Sequence, residues 1–150
     1  MTIEVGQQAP AFSAMNQLGK TVSLSDFAGK KLALYFYPKD DTPGCTAEAC
    51  SLRDHYQTLL AQGYAILGVS PDNEAKHQKF IAKYDLPFDL LADTDHAVAE
   101  AYGVWVEKSM YGRQYMGIAR TTFIINEHGI LSEIIAKVNT KDHANQILGS

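Results

Sequence analysis

The stretch Pro38-Lys39-Asp40-Asp41-Thr42-Pro43-Gly44-Cys45-Thr46-Ala47-Glu48-Ala49-Cys50 decides how the rest of the chain is read, and it holds both cysteines of the 150 residues. Just before it, Leu32-Ala33-Leu34-Tyr35-Phe36-Tyr37 is a short, aromatic-rich apolar run closed by a proline, which predicts a buried strand. After it, Ala49, Leu52, Tyr56, Leu59 and Leu60 follow the spacing of one helix face, and Gln62-Gly63 ends the pattern. The cysteines therefore open a helix just beyond a strand end, where mostly parallel α/β sheets gather their ligands and chemistry.

Three physical arguments single out Cys45 as a nucleophile. The amides of a helix's first turn are unpaired and its dipole is positive there, which favours a thiolate. Pro43 and Gly44 suit a tight turn that lets backbone N–H groups face whatever approaches the sulfur. At 100° per residue Cys45 projects onto the apolar face of Leu52, Tyr56 and Leu59, whereas Cys50 projects onto the far side near Asp54 and Gln57. Five residues apart on a helix, two Cα atoms are about 8.6 Å apart. A disulfide needs roughly 4.4–6.8 Å. Bonding the two cysteines would therefore require the first turns of the helix to unwind, a two-state element.

Composition sets the class. With 46% hydrophobic and 20% charged residues, the chain is expected to form one globular domain over 1–150, large enough to bury a core without staples. A net charge of −4 without a basic block argues against nucleic acid, and no apolar run approaches the roughly 20 residues of a membrane span. Met1-Thr2-Ile3-Glu4-Val5-Gly6 lacks signal-peptide character, so a cytoplasmic location is expected. Two close cysteines in such a reducing compartment are more often catalytic or redox-sensing than structural.

Taken in order, Phe12–Asn16 and Thr21–Leu24 predict an N-terminal hairpin turned at Gly19, followed by a helical turn capped by Ser25 and closed by Gly29. Tyr64–Ser70 reads as a second apolar strand, and Asp72 as the cap of a helix to about Tyr84 with Phe80, Ile81 and Tyr84 buried. A short extended segment, 87–93, precedes a short helix from Ala97 to Tyr102. Residues 104–119 mix glycine with aromatics without a period and read as a loop excursion. A hairpin of 119–126 and 130–137 around Gly129, then a helix from Thr140 to Leu148, completes the chain. This alternation of strands and helices predicts parallel βαβ units followed by a hairpin.

Pro38-x-x-x-Thr42-x-x-Cys45 resembles the active-site signature of the peroxiredoxins, and Cys50 five residues on resembles the Q-type branch, the bacterioferritin comigratory proteins. Gly6-x-x-Ala9-Pro10-x-Phe12 and Arg120-Thr121-Thr122-Phe123 extend the resemblance over nearly the whole chain. It implies a thioredoxin-like α/β fold, a central mixed sheet flanked by helices with the N-terminal hairpin as an extension. It also implies a thiol peroxidase acting on hydrogen peroxide and organic hydroperoxides. Cys45 would become a sulfenic acid, Cys50 would condense with it to an intramolecular disulfide, and thioredoxin or a glutaredoxin system would reduce that bond. No cofactor and no metal are implied, and the chain is expected to be a monomer.

For the remaining site residues two readings stand side by side. Arg120, one of three arginines, opens an apolar strand; alone it reads as a surface charge, and under the resemblance as the donor that lowers the thiol pKa and stabilises the transition state. Thr42 offers a hydroxyl to the peroxide or is simply a turn residue before Pro43. Pro38 would shield the sulfur and end the strand without an unpaired N–H. Glu48 pairs with Arg53 or Arg120, or only decorates the helix, while Arg53 has no obvious aim at the sulfur. The five histidines are scattered, and the C-x4-C-x4-H series ending at His55 lacks the spacing of structural zinc. Two other functions share these residues. A thioredoxin-type disulfide oxidoreductase would want C-x-x-C, and a non-enzymatic redox sensor would differ only in lacking turnover.

Overall fold

The computed structural model describes residues 3–149; Met1, Thr2 and Ser150 of the domain expected over 1–150 lie outside the described residues. A five-stranded sheet runs in the order β5 (Asp89–Ala92), β4 (Tyr64–Ser70), β3 (Lys31–Phe36), β8 (Thr121–Ile125), β9 (Leu131–Ile135). β3, β4 and β5 are parallel, and β8 and β9 add antiparallel. This is the mixed sheet and thioredoxin-like fold the sequence predicts. Parallel neighbours need crossovers, and the helices α1 (Pro43–Asp54), α2 (Tyr56–Ala61) and α3 (Glu74–Tyr84) supply them.

β3 is buried on both faces, and its alternation divides the core. Leu32, Leu34 and Phe36 face one cluster with Phe12, Val98 of α4 (Ala97–Ala101), Tyr102 and Phe123. Ala33, Tyr35 and Tyr37 face the other, with Cys45, Ala49 and Leu52 of α1, Phe80 of α3, and Ala144 and Ile147 of α5 (His143–Leu148). Strand β4 has Gly68 opposite Tyr35, where any Cβ would lie 2.8 Å from the Tyr35 ring and 2.6 Å from Leu90. The aromatic ring occupies the space a side chain would need.

The hairpin β1 (Ser13–Met15) and β2 (Thr21–Ser23) forms as expected and turns at Gly19, φ +73°. Its flanks cover both sheet edges: Asn16 bridges Leu91 on β5, and Gln8 bridges Ile130 beside β9.

Five expectations are corrected. Residues 104–119 are a two-stranded antiparallel hairpin, β6 (Trp105–Met110) and β7 (Arg113–Ile118), and not a loop. Tyr111 and Gly112 both have positive φ, the geometry of a two-residue primed turn. Most of the ribbon is exposed on both faces, so no alternation marks it. The cysteine helix is not continuous to Gln62. It breaks at His55, whose Nδ1 lies 3.0 Å from the Ser51 carbonyl, and α2 then buries Leu59 but leaves Leu60 exposed. The turn near Leu24 is capped by Ser23, not Ser25, with Asp26 accepting the Ser23 N–H at 2.9 Å. Asn73 and not Asp72 caps α3, accepting the Lys76 N–H at 2.9 Å. Asp72 is taken by the Ser70 hydroxyl and the Asp40 N–H, both donating to its Oδ2. The last helix starts at His143, shorter than the expected span from Thr140.

Candidate active site

The loop between β3 and α1 is held before any chemistry begins. Asp41 takes the left-handed conformation that reverses the chain, φ +56°, with its carboxylate accepting from Lys83 Nζ and the Tyr84 hydroxyl, each at 2.8 Å. Asp40 is buried, accepts the Tyr37 hydroxyl at 2.5 Å and lies 2.6 Å from His77 Nδ1, while His77 Nε2–H donates to the Leu91 carbonyl at 2.8 Å. Thr42 is the extended N-cap, with Pro43 at the first helical position. Pro38, half-buried, ends β3 as predicted.

Cys45 is 2% exposed on the inner face of α1 and Cys50 is half-buried on the same helix; neither is in a disulfide. This is the inward and outward division the helical projection predicts. The first-turn amides of Gly44 and Cys45 have no acceptor within the helix. Arg120 reaches the sulfur from the residue before β8: Nη2 donates to Cys45 Sγ at 3.3 Å and Nη1 to Glu48 Oε1 at 2.7 Å. Arg120 is therefore not a surface charge, and Glu48, fully buried, does not merely decorate the helix. Burial pushes the Glu48 carboxyl up to about 7, with Arg120 pulling the other way. Glu48 and Cys45 in turn hold the Arg120 guanidinium above its ordinary value although burial works against it.

Gly44 has a role that differs from the turn inferred for it. It lies inside the first helical turn, and a Cβ there would stand 3.2 Å from Arg120 Nη2. Its missing side chain is the gap through which the guanidinium reaches the sulfur. The Thr42 hydroxyl donates to the Lys39 carbonyl at 2.9 Å, which commits its proton and leaves the oxygen as an acceptor. Arg53 is elsewhere, bonded to Asp54 and to the Tyr84 carbonyl.

Sequence reasoning missed His143. It is fully buried, with Nε2 2.7 Å from the Thr122 hydroxyl and 3.4 Å from Glu48 Oε2. A histidine at the start of a short C-terminal helix gives no local signal of a partner 95 residues away. Lys108 of β6 was missed for the same reason. It is half-buried, and its ammonium is pushed below its ordinary value by burial and by Arg120, with Cys45 acting in the opposite sense.

The sequence pattern of the AhpC/TSA family matches residues 5–134. The chain belongs to that family. Within it the chain is a peroxiredoxin of the Bcp, or Q, type. It is 50% identical over 149 residues to a protein named putative peroxiredoxin bcp from Coxiella burnetii, covering 99% of both chains. It is likewise 50% identical over 148 residues to peroxiredoxin Bcp of Bacillus subtilis, covering 99% of this chain and 94% of that one. Among solved structures, peroxiredoxin Q of Xanthomonas campestris superposes with a TM-score of 0.89 at 36% identity, covering 99% of this chain and 94% of that one. These relatives make the chain a thiol peroxidase, an oxidoreductase whose substrates are peroxides. None of the helices among the described residues is long and apolar enough to cross a membrane.

Proposed function

We propose that this chain, acting as one domain, reduces hydrogen peroxide and organic hydroperoxides through Cys45, with Cys50 resolving the product. The observation that carries the reading is the 3.3 Å donation from Arg120 Nη2 to Cys45 Sγ, made by a cation that Glu48 pins from its other arm. The Cys45 thiolate attacks one peroxide oxygen, the O–O bond breaks, and water or an alcohol leaves after taking up a proton. Arg120 and the first-turn amides stabilise the charge as it moves from sulfur to oxygen. Thr42 accepts from the incoming hydroperoxide, and Pro38 screens the sulfur from bulk water. Organic substrates have a precedent in one relative: a Xanthomonas campestris bacterioferritin comigratory protein, 35% identical, is described with alkyl peroxide reduction activity.

Cys45 sulfenic acid then condenses with the Cys50 thiol, releasing water as α1 unwinds. A thioredoxin-type dithiol reduces the disulfide by exchange. The cytoplasm, where such dithiols are kept reduced, is the compartment this cycle requires. Both sheet edges are covered by the N-terminal segment, which supports a monomer. The spacing of four residues between the cysteines weighs against a thioredoxin-type oxidoreductase.

The test is a single turnover of reduced protein with one equivalent of peroxide, followed by thiol counting and mass spectrometry. Rapid loss of two thiols, recovery with thioredoxin and its reductase, and a stable sulfenic acid in Cys50→Ser are expected. Oxidation no faster than that of a free cysteine would defeat the reading.

A further inference from the structure

The cycle above uses one oxygen of Glu48, to hold Arg120, and leaves the other oxygen and the buried His143 beside it without a task. Glu48 of α1 is fully buried near Tyr35 of β3, paired with Arg120, which also reaches Cys45, and close to His143 of α5, which in turn meets Thr122 of β8. Arg120 occupies Glu48 Oε1, but Oε2 has no hydrogen-bond partner among the described residues and stands 3.4 Å from His143 Nε2.

The histidine's protonation follows from its other contacts. Gln146 Oε1 accepts the Asn139 N–H at 2.9 Å, and the same amide donates from Nε2 to the Lys137 carbonyl at 3.0 Å, so its oxygen faces His143 Nδ1 at 2.7 Å. Nδ1 therefore carries the ring proton. A neutral His143 then presents a single lone pair at Nε2, which faces the Thr122 hydroxyl at 2.7 Å and Glu48 Oε2 at 3.4 Å. Burial pushes this histidine below its ordinary value, and Gln146 opposes that shift while Arg120 adds to it. Two acceptors thus face each other in a dry space, and a proton on Glu48 removes the conflict.

We propose that this proton is a latch: shared between Glu48 and His143, it holds reduced α1 folded against α5, and its loss favours the unwinding that lets Cys50 reach Cys45. The inference rests on the two-cysteine cycle proposed above. A second link, the Ala144 N–H donated to Ser51 Oγ at 3.1 Å, ties the same two helices and must also open. Unwinding carries Glu48 into water, where a carboxyl ordinarily titrates near 4.3, and its proton passes to solvent. The redox step is balanced without that proton. The Cys50 sulfur bonds to the Cys45 sulfur, the S–O bond breaks, and hydroxide leaves as water with the Cys50 proton.

The sign follows from linkage. A carboxyl held up to about 7 in the folded helix favours that helix at low pH, and the preference is lost as pH rises from about 4.5 to 7. Disulfide formation should accelerate over that window and gain nothing further from Glu48 above it.

The experiment follows the intact protein through one turnover between pH 5 and 8, quenching at intervals to separate sulfenic acid from disulfide. Glu48→Gln cannot lose the proton, and the titration of Cys50 is common to both proteins. The ratio of wild-type to Glu48→Gln resolution rates should therefore rise about fiftyfold from pH 5 to 7.5 and then level. In His143→Gln an amide N–H can donate to Glu48 Oε2, so the midpoint should move to lower pH. Hydrogen exchange of α1 amides in the reduced wild type, corrected for intrinsic rates, should show the same rise in opening and serves if a variant fails to fold. A flat ratio, an unmoved midpoint in His143→Gln or pH-independent opening of α1 would overturn the latch while sulfenic acid still forms. Absence of sulfenic acid at Cys45 would defeat the peroxidase cycle itself, and the latch with it.

Discussion

Replacing Gly44 by alanine should make the protein more stable and a poorer peroxidase. Gly44 occupies the first turn of α1, where alanine is the better helix former by up to about 1 kcal/mol. For a chain of this size that corresponds to a rise in Tm of about 2–4 °C. The new Cβ, however, would stand 3.2 Å from Arg120 Nη2, closer than ordinary contact. Arg120 cannot retreat freely, because Nη1 is held at 2.7 Å by Glu48. Pivoting about that bond by about 0.3 Å lengthens the Nη2–Sγ contact from 3.3 Å to about 3.6 Å. At an effective dielectric constant near 20, this weakens the attraction to a thiolate by about 0.4 kcal/mol, or twofold in rate. Misalignment of the charged hydrogen bond adds up to about 1 kcal/mol, for a combined loss of about tenfold. The assay pairs thermal unfolding with kcat/KM for hydrogen peroxide. A variant with raised Tm and undiminished kcat/KM would refute the idea that glycine is there for the arginine's approach.

Arg120→Met should lower kcat/KM by about 10²–10³, measured by peroxide consumption with excess reductant. With Arg120 gone Glu48 loses its counterion, so urea unfolding of that variant should show stability falling more steeply between pH 5 and 8 than in the wild type. Gly68→Ala forces a methyl group into the Tyr35 ring and should cost about 1–3 kcal/mol in a urea titration without changing the rate of the Cys45 reaction in the folded fraction. Asn73→Ala removes the α3 cap and should cost about 1 kcal/mol by the same titration. Far-ultraviolet circular dichroism should lose helical signal when the Cys45–Cys50 disulfide forms, and an unchanged spectrum on a verified disulfide would show that α1 need not unwind.

The sequence carried what is local. The strand expected over 32–37, found as Lys31–Phe36, the helix opening at the cysteines and the burial of Cys45 all follow from short-range pattern, because both faces of β3 are apolar and the helix period places Cys45 with Leu52. It was silent where a residue's role depends on a distant neighbour. Gly44 looked like a turn former because the arginine that needs its space is 76 positions away. Asp72 looked like a cap because aspartate favours that position, yet the Ser70 hydroxyl and the Asp40 amide engage it. The β6–β7 ribbon was illegible for a different reason: with most of both faces exposed, no periodicity records that it is a strand pair. Of the two turn residues with positive φ, Tyr111 and Gly112, only the glycine leaves a trace in the sequence.

The site itself is an outcome of strand register. β3 delivers the chain to Pro38 and the cysteine helix, while β8 runs antiparallel beside it, with Thr121 opposite Phe36. Arg120, one residue before Thr121, therefore lies at the level where β3 gives way to the active-site loop. Successive residues of a strand face opposite sides, so a slip of one position would exchange Ile124, which packs beneath α1, with Phe123, which packs on the far face. Both faces of β8 are buried, each against its own cluster, so that slip would have to repack both. The packing that fixes the core thereby fixes where Arg120 leaves the sheet, and Glu48 of α1 holds its guanidinium beside Cys45. That division explains why the cysteine helix can unwind in the proposed cycle without dismantling the sheet that carries its activating charge.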